Sequence, residues 1–296
     1  MRTYHEDKLP GTTREKVSVI GLGAMGSVLA HLLVKEKQEV TVWNRTAAKA
    51  EQLVKEGAKY TGDIHAAVSA SSLVIICVLD YAVTNEIFGE VDVQGKTIIQ
   101  LSTGTPQDAR EMAAMMKSRG ALYLDGAILA TPSQMGQPST PIFFSGSQTA
   151  FERSEAVLKI LAGMLLYVGE APGAAAAWDL AALSSMFGMM FGFFHGVRII
   201  ESEGLDVAAL GNMIADISPV LGQMVKSTAD DIQQAHYTSP QSSLEICALS
   251  FELMMRQAAE GNIKAPFPVF ALGLFNKARA AGYGDERLAA MMKVLR

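Results

Sequence analysis

The chain has 296 residues, 49% of them hydrophobic, which is enough for a large buried core and for two domains. A net charge of −5 gives no basic surface for nucleic acid or an anionic membrane. The two cysteines, Cys77 and Cys247, lie far apart in apolar segments and the five histidines are scattered. No metal-ligand spacing results, and buried, reduced thiols in a cytoplasmic protein are expected.

Residues 1–15 are polar and read as a loose tail without an apolar signal segment. A strand is expected over 17–20. It runs into Gly21-Leu22-Gly23-Ala24-Met25-Gly26, and a helix over 27–36 follows. This is the dinucleotide fingerprint in its proper context of strand, glycine turn and helix. Gly21 permits the tight turn, Gly23 lets the backbone approach a pyrophosphate, and Gly26 lets the helix pack on the strand. The free N–H groups at the helix start face the anion.

A second strand, 39–43, ends at Asn44-Arg45-Thr46, with Lys49 in the helical stretch 47–56 that follows. An NAD site usually has a carboxylate here for the ribose hydroxyls. A carboxylate would repel a 2′-phosphate, whereas a guanidinium can bind one in fork geometry. The cofactor read from these residues is therefore NADPH (NADP+). The plainer reading, solvated cations, is disfavoured because cations sit poorly at a helix N-terminus.

Further strands are expected over 73–78, 97–101, 122–127, 141–145 and 165–168, with helices over 106–118 and 150–161. Short apolar strands joined by helical crossovers imply a mostly parallel sheet, with the ligand beyond the strand C-termini at the switch point. Val78, Leu79 and Asp80, and Ser102, Thr103 and the residues up to Pro106, are the strand ends placed to touch it. Beyond Pro172-Gly173 no strand is expected. Helices over 174–203, 207–217, 219–234, 244–260 and 268–281 make an all-helical second domain. The division is thus a tail (1–15), a Rossmann domain (16–172) and a helical substrate and dimerisation domain (173–296).

The long helix from 174 is apolar enough to suggest a membrane span, but it contains Asp179, His195 and Arg198 and reads as a buried helix. Ser184, Gly188, Gly192 and Gly196 recur every fourth residue and make a small-residue stripe, for a subunit interface or for packing within one chain. Asp179, Leu183 and Phe187 span about 80° of arc and share a second face. Asp179 is the lone acid in its apolar run, costly unless paired or unless its proton affinity rises. It reads equally as a functional acid or as a carboxylate favoured near a helix start.

Four segments together carry a resemblance: residues 19–26, Trp43 to Thr46, Leu101 to Pro106, and Trp178-Asp179-Leu180-Ala181-Ala182-Leu183. They resemble the NADPH-dependent imine reductases and reductive aminases of the β-hydroxyacid dehydrogenase superfamily, over nearly the whole chain after the tail. β-Hydroxyacid dehydrogenases have a catalytic Lys followed by Leu-Ala-Asn where this chain has Asp179-Leu180-Ala181-Ala182. Proton exchange with an alcohol oxygen suits a Lys, whereas a C=N bond needs its nitrogen protonated, which suits an acid.

The resemblance makes Asp179 the proton donor and Thr103, Trp178, Leu183 and Phe187 the substrate contacts. It implies a 6-phosphogluconate dehydrogenase-like C-terminal domain and a domain-swapped homodimer with a shared active site. Its substrate would be a small hydrophobic imine, or a ketone plus an amine, in a Met-rich pocket. Phe187 replaces a Tyr found in many members, and Thr103 replaces the Asn of typical reductive aminases. Reduction of preformed imines is therefore implied more directly than condensation of ketone and amine. The alternatives are a β-hydroxyacid dehydrogenase-like oxidoreductase, disfavoured by the apolar residues 126–130 that read as a loop after Asp125, and a non-catalytic NADPH-binding sensor. No nucleic acid and no membrane partner is expected.

Overall fold

The computed structural model describes residues 2–3 and 14–296, so most of the expected tail lies outside the described residues. The chain divides into two compact units, Met1–Ser184 and Ser185–Arg296. The first contains β1 (Arg2–Thr3), β2 (Lys16–Ile20), α1 (Ala24–Lys35), β3 (Glu39–Trp43), α2 (Glu51–Glu56), β4 (Lys59–Tyr60), α3 (Ile64–Ser69), β5 (Leu73–Ile76) and α4 (Tyr81–Phe88). It continues with β6 (Thr97–Gln100), α5 (Pro106–Ser118), β7 (Leu122–Ile128), β8 (Pro141–Gly146), α6 (Gln148–Leu161), β9 (Met164–Tyr167) and the start of α7 (Ala174–Ser202).

These strands form one nine-stranded sheet in the order β1-β9-β8-β7-β6-β5-β2-β3-β4. Pairing is parallel except at β7–β8 and β1–β9. Every residue of β5 and of β6 is buried, as the continuous apolar runs of a sheet covered on both faces require. One face packs Leu29 and Leu33 of α1 and Phe151, Leu158 and Leu161 of α6. The other packs Val68, Phe88, Met112 and Met116 from α3, α4 and α5. The strand order reverses at β2, which lies between β5 and β3. The crevice beyond the ends of β2 and β5 is where such sheets place a ligand.

Several expectations need correction. The strand expected over 122–127 is borne out and runs one residue further, so Gly126, Ala127 and Ile128 belong to β7 and not to a loop after Asp125, because β8 pairs with it antiparallel from Leu124 to Ile128. Residues 47–56 are not one helix: Lys49 lies in a 3-10 turn, Ala47–Ala50, and α2 begins afterwards. The two-residue β1 places Arg2 and Thr3 in the sheet rather than in a loose tail. Helices α3 and α4 were not singled out. Each is capped by an aspartate, Asp63 accepting from the His65 N–H and Asp80 from the Val83 N–H.

The second unit holds the rest of α7 and α8 (Val207–Gln233), α9 (Leu244–Glu260), α10 (Pro266–Ala280) and α11 (Met292–Leu295). The expected break before Pro219 is absent, and α8 runs through it as one helix. Proline cannot donate to a carbonyl one turn back, but the loss of one rung does not prevent the turns on either side from forming. Leu244 and Ala248 of α9 bury against Phe275 and Ala278 of α10. Arg279 donates to Glu245 at 2.7 Å across the same pair. Cys247 is only partly buried, unlike Cys77, and both are free thiols.

Beyond its first turns, most of helix α7 is not buried within its own chain. Phe187, Met189, Phe191 and Phe194 are each more than half exposed. It is also the one helix among the described residues that is long and apolar enough to cross a membrane. The small-residue stripe is mixed: a Cβ at Gly192 would touch Phe267 and one at Gly196 would touch Leu210, whereas one at Gly188 would meet nothing.

Candidate active site

At the end of β2 the chain makes its glycine turn. Gly21 sits at φ +100°, and a Cβ there would stand 2.3 Å from the Cys77 carbonyl oxygen. Only glycine fits, in conformation and in space. A Cβ on Gly26 would lie 2.0 Å from the Gly21 carbonyl oxygen, so α1 crosses the turn as closely as its backbone allows. Gly23 differs, because a Cβ there would meet nothing within 4 Å. Gly23 and Ala24 are exposed while Leu22 and Gly26 are buried and Met25 is partly buried. Gly23 caps α1 with no side-chain hydrogen bond, leaving the first-turn N–H groups free. A free helix N-terminus beside open space fits a pyrophosphate.

The end of β3 braces this turn. The Gly21 N–H donates to the Trp43 carbonyl at 2.9 Å, and the Leu22 N–H donates to Asn44 Oδ1 at 2.9 Å. Asn44 Nδ2 in turn donates to the Thr46 carbonyl at 3.0 Å. Asn44 is thus partly committed to holding the glycine turn. Arg45, Thr46 and Lys49 are exposed beside it, and no carboxylate occurs from Asn44 to Ala50. This residue set fits a 2′-phosphate.

The ends of β5 and β6 are tied together as well. The Val78 N–H donates to Ser102 Oγ at 3.0 Å. Leu79 is 80% exposed and Thr103 is exposed, so both strand ends present side chains outward.

Asp179 lies near the start of α7 and is 5% exposed. Burial raises its proton affinity above the ordinary value of an aspartate. Trp178 stacks on Phe143 of β8, with ring centroids 5.8 Å apart and planes 16° from parallel. Leu183 is partly buried within the first unit, while Phe187 is exposed in the second.

A group that the sequence reading missed stands behind Asp179. Asp125 of β7 is 1% exposed and accepts from the Tyr81 hydroxyl and, at 3.4 Å, from the Tyr123 hydroxyl. Burial pushes its pKa up to about 6, against the two hydroxyls and the Ala176 backbone, which favour the charged form. Ser145, its register partner on β8, accepts from the Ala175 N–H at 3.0 Å. Ser145 thus satisfies one first-turn donor of α7. The available signal was a lone acid inside the apolar strand 122–127.

Residues 16–169 match the family model for the NAD-binding domain of 6-phosphogluconate dehydrogenase. Residues 171–296 match that for the C-terminal domain of NADPH-dependent reductive aminase-like proteins. An NADPH-dependent reductive aminase of Aspergillus oryzae is 34% identical, over 94% of this chain and 96% of its own. The chain belongs to the reductive aminase and imine reductase family. Membership makes it an NADPH-dependent oxidoreductase of the class acting on C=N bonds. Among solved structures, a reductive aminase from Aspergillus terreus in complex with NADPH and ethyl levulinate superposes with a TM-score of 0.90 at 34% identity, covering 96% of this chain and 100% of that one. An imine reductase from a Pseudomonas species superposes with a TM-score of 0.91 at 32% identity, with the same coverage.

The Gly26 contact yields a test. Gly26→Ala forces α1 away from the glycine turn and costs about 1–3 kcal/mol, as overpacking does. Denaturant unfolding followed by far-UV circular dichroism should show a lowered midpoint.

Proposed function

We propose that this chain reduces imines or iminium ions to amines, with Asp179 as the acid that protonates nitrogen. Bound NADPH would supply the hydride. The glycine turn of Gly21, Leu22, Gly23, Ala24, Met25 and Gly26 would hold its pyrophosphate. Asn44, Arg45, Thr46 and Lys49 would hold its 2′-phosphate end, and Val78, Leu79, Ser102 and Thr103 would line its nicotinamide side. The observation that carries this reading is a buried carboxylic acid, where the alcohol-oxidising relatives of the superfamily would have a Lys.

Protons and electrons balance simply. The Asp179 carboxyl gives its proton to the imine nitrogen, which makes the carbon a better hydride acceptor. The carboxylate left behind is paired with the iminium cation. The amine product has then gained one hydride and one proton, and water returns a proton to Asp179. Trp178, Leu183 and Phe187, with Thr103, would shape an apolar pocket for the substrate. Phe187 has no hydroxyl, so the acid–base work falls on Asp179 and water. The same site would accept a preformed imine, or a ketone and an amine joined in solution.

The functional division that we propose is a Rossmann domain over 16–172 and a substrate and dimerisation domain over 173–296. We read the second copy of this chain as the partner that covers α7 and shares the active site, as a domain-swapped homodimer would. The exposed Phe187, Met189, Phe191 and Phe194 support this. So does His195, which is 7% exposed with neither ring nitrogen hydrogen-bonded among the described residues. The free thiols are in keeping with a cytoplasmic setting.

Three outcomes are expected. With NADPH and a simple cyclic imine, Asp179→Ala lowers kcat by about 10²–10⁴-fold while NADPH affinity, measured by fluorescence titration, is unchanged. Because burial raises the Asp179 proton affinity, wild-type kcat falls as pH rises through its pKa, and Asp179→Asn loses that limb. Turnover of a 3-hydroxyacid with NADP+ and none of the imine would overturn the reading.

Arg45→Glu should cut the kcat/KM preference for NADPH over NADH by about tenfold or more; an unchanged ratio would remove Arg45 from the phosphate site. Light scattering should return twice the 31.6 kDa chain mass, and a monomer would contradict the shared site.

A further inference from the structure

Tyr81 joins three elements around the cofactor side of the sheet. It is the first residue of α4 and follows Val78, Leu79 and Asp80 at the end of β5. It is buried, and its hydroxyl donates to Asp125 Oδ1 on β7. Its ring lies against the loop that follows β6. A Cβ on Gly104 would stand 2.5 Å from Tyr81 Cε2 and closer still to Cδ2, whereas ordinary contact begins at 3.4 Å. Gly104 has no positive φ, so the ring, and not the backbone conformation, requires a glycine here.

The loop is held on both sides of the exposed Thr103. Before it, Ser102 Oγ accepts from the Val78 N–H at 3.0 Å. After it, the backbone of Gly104 rests on the Tyr81 ring. Beyond that, Thr105 caps α5, its N–H donating to Asp108 Oδ2 at 2.8 Å and its Oγ1 accepting from the Asp108 N–H at 3.2 Å. The ring has little freedom to yield. Its hydroxyl is tied to Asp125, and α4 is tied to β6 by Gln100 Nε2, which donates to Thr84 Oγ1 at 2.9 Å. A side chain fixed by packing at one end and by a hydrogen bond at the other is a stiff support for a site.

We propose that Tyr81 is a positioning residue whose ring, pinned through its hydroxyl to Asp125, sets where the loop 102–104 stands and so how Ser102 and Thr103 meet the nicotinamide and the substrate. This rests on the reading of Ser102 and Thr103 as the nicotinamide side of the site. Tyr81 itself touches neither substrate nor cofactor in this scheme. To reach ordinary contact distance, a methyl at residue 104 must move the loop or the ring by about 1 Å, and a misplacement of that size costs on the order of 10²-fold in rate.

The test compares wild type, Tyr81→Phe, Gly104→Ala and the double variant. Three quantities are read: kcat for NADPH-dependent reduction of a cyclic imine, the nicotinamide fluorescence of bound NADPH without substrate, and thermal unfolding. Gly104→Ala pushes the loop off a pinned ring, and kcat should fall by on the order of 10²-fold. Tyr81→Phe keeps the ring but frees it, and the fall should be smaller, about tenfold. In the double variant the freed ring yields to the methyl, so the combined loss is less than the product of the single losses. NADPH affinity stays close to wild type, because the pyrophosphate and the 2′-phosphate are held elsewhere, while the emission of the bound nicotinamide changes in both single variants. A role confined to folding would lower the thermal midpoint and leave kcat and emission at their wild-type values, which overturns the proposal. Losses that simply multiply overturn it too, since ring and loop would then act independently. If Gly104→Ala fails to fold, kcat and emission of Tyr81→Phe decide. If wild type reduces no imine, the reading of the reaction fails, and the emission of bound NADPH decides this proposal by itself: a change in the single variants supports it and no change overturns it.

Discussion

The start of α7 is the constraint on which the site depends. A helix begins with N–H groups that have no partner of their own. Here the Ala175 N–H is satisfied by Ser145, which faces Asp125 across the antiparallel pair β7–β8. The sheet register therefore decides where the helix begins, and the helix repeat carries that decision to Asp179. Slipping β8 by one residue would turn Ser145 to the other face of the sheet and leave the Ala175 N–H without its partner.

A second constraint acts at the centre of the same sheet. The glycine turn after β2 is pressed between the Cys77 carbonyl and the first turn of α1, with no room for a side chain at Gly21 or Gly26. Asn44 ties that turn to the end of β3, and Ser102 ties the end of β6 to that of β5. These bonds prepare a surface of backbone donors before any ligand arrives. A preorganised site spends less of its binding energy on ordering loops.

Much of this was legible in the chain. The central strands were readable to within one or two residues because their apolar runs are short, continuous and bounded by turn residues. The fingerprint stood out because its glycines have fixed steric tasks. Pro219 misled because one missing donor does not end a helix whose turns on either side still form. The strand expected over 122–127 ends one residue later, and the run 126–130, read also as a loop after Asp125, begins inside it because β8 pairs as far as Ile128. Asp125, Tyr81 and Tyr123 could not be joined from sequence, since Tyr81 and Asp125 are 44 residues apart and meet only through the strand order. The exposure of α7 was hidden for another reason: an apolar run reads as buried, and sequence alone does not show what packs on it.

The central claim is that hydride reaches the carbon of a C=N bond. The most direct measurement is a single-turnover reaction of a cyclic imine with NADPH deuterated stereospecifically at the transferring position, followed by mass spectrometry and NMR of the amine. One deuterium at the former imine carbon, from one face of the nicotinamide, is the predicted result. Transfer of the label to the carbonyl carbon of a 3-oxoacid, with the imine left unchanged, would contradict the account.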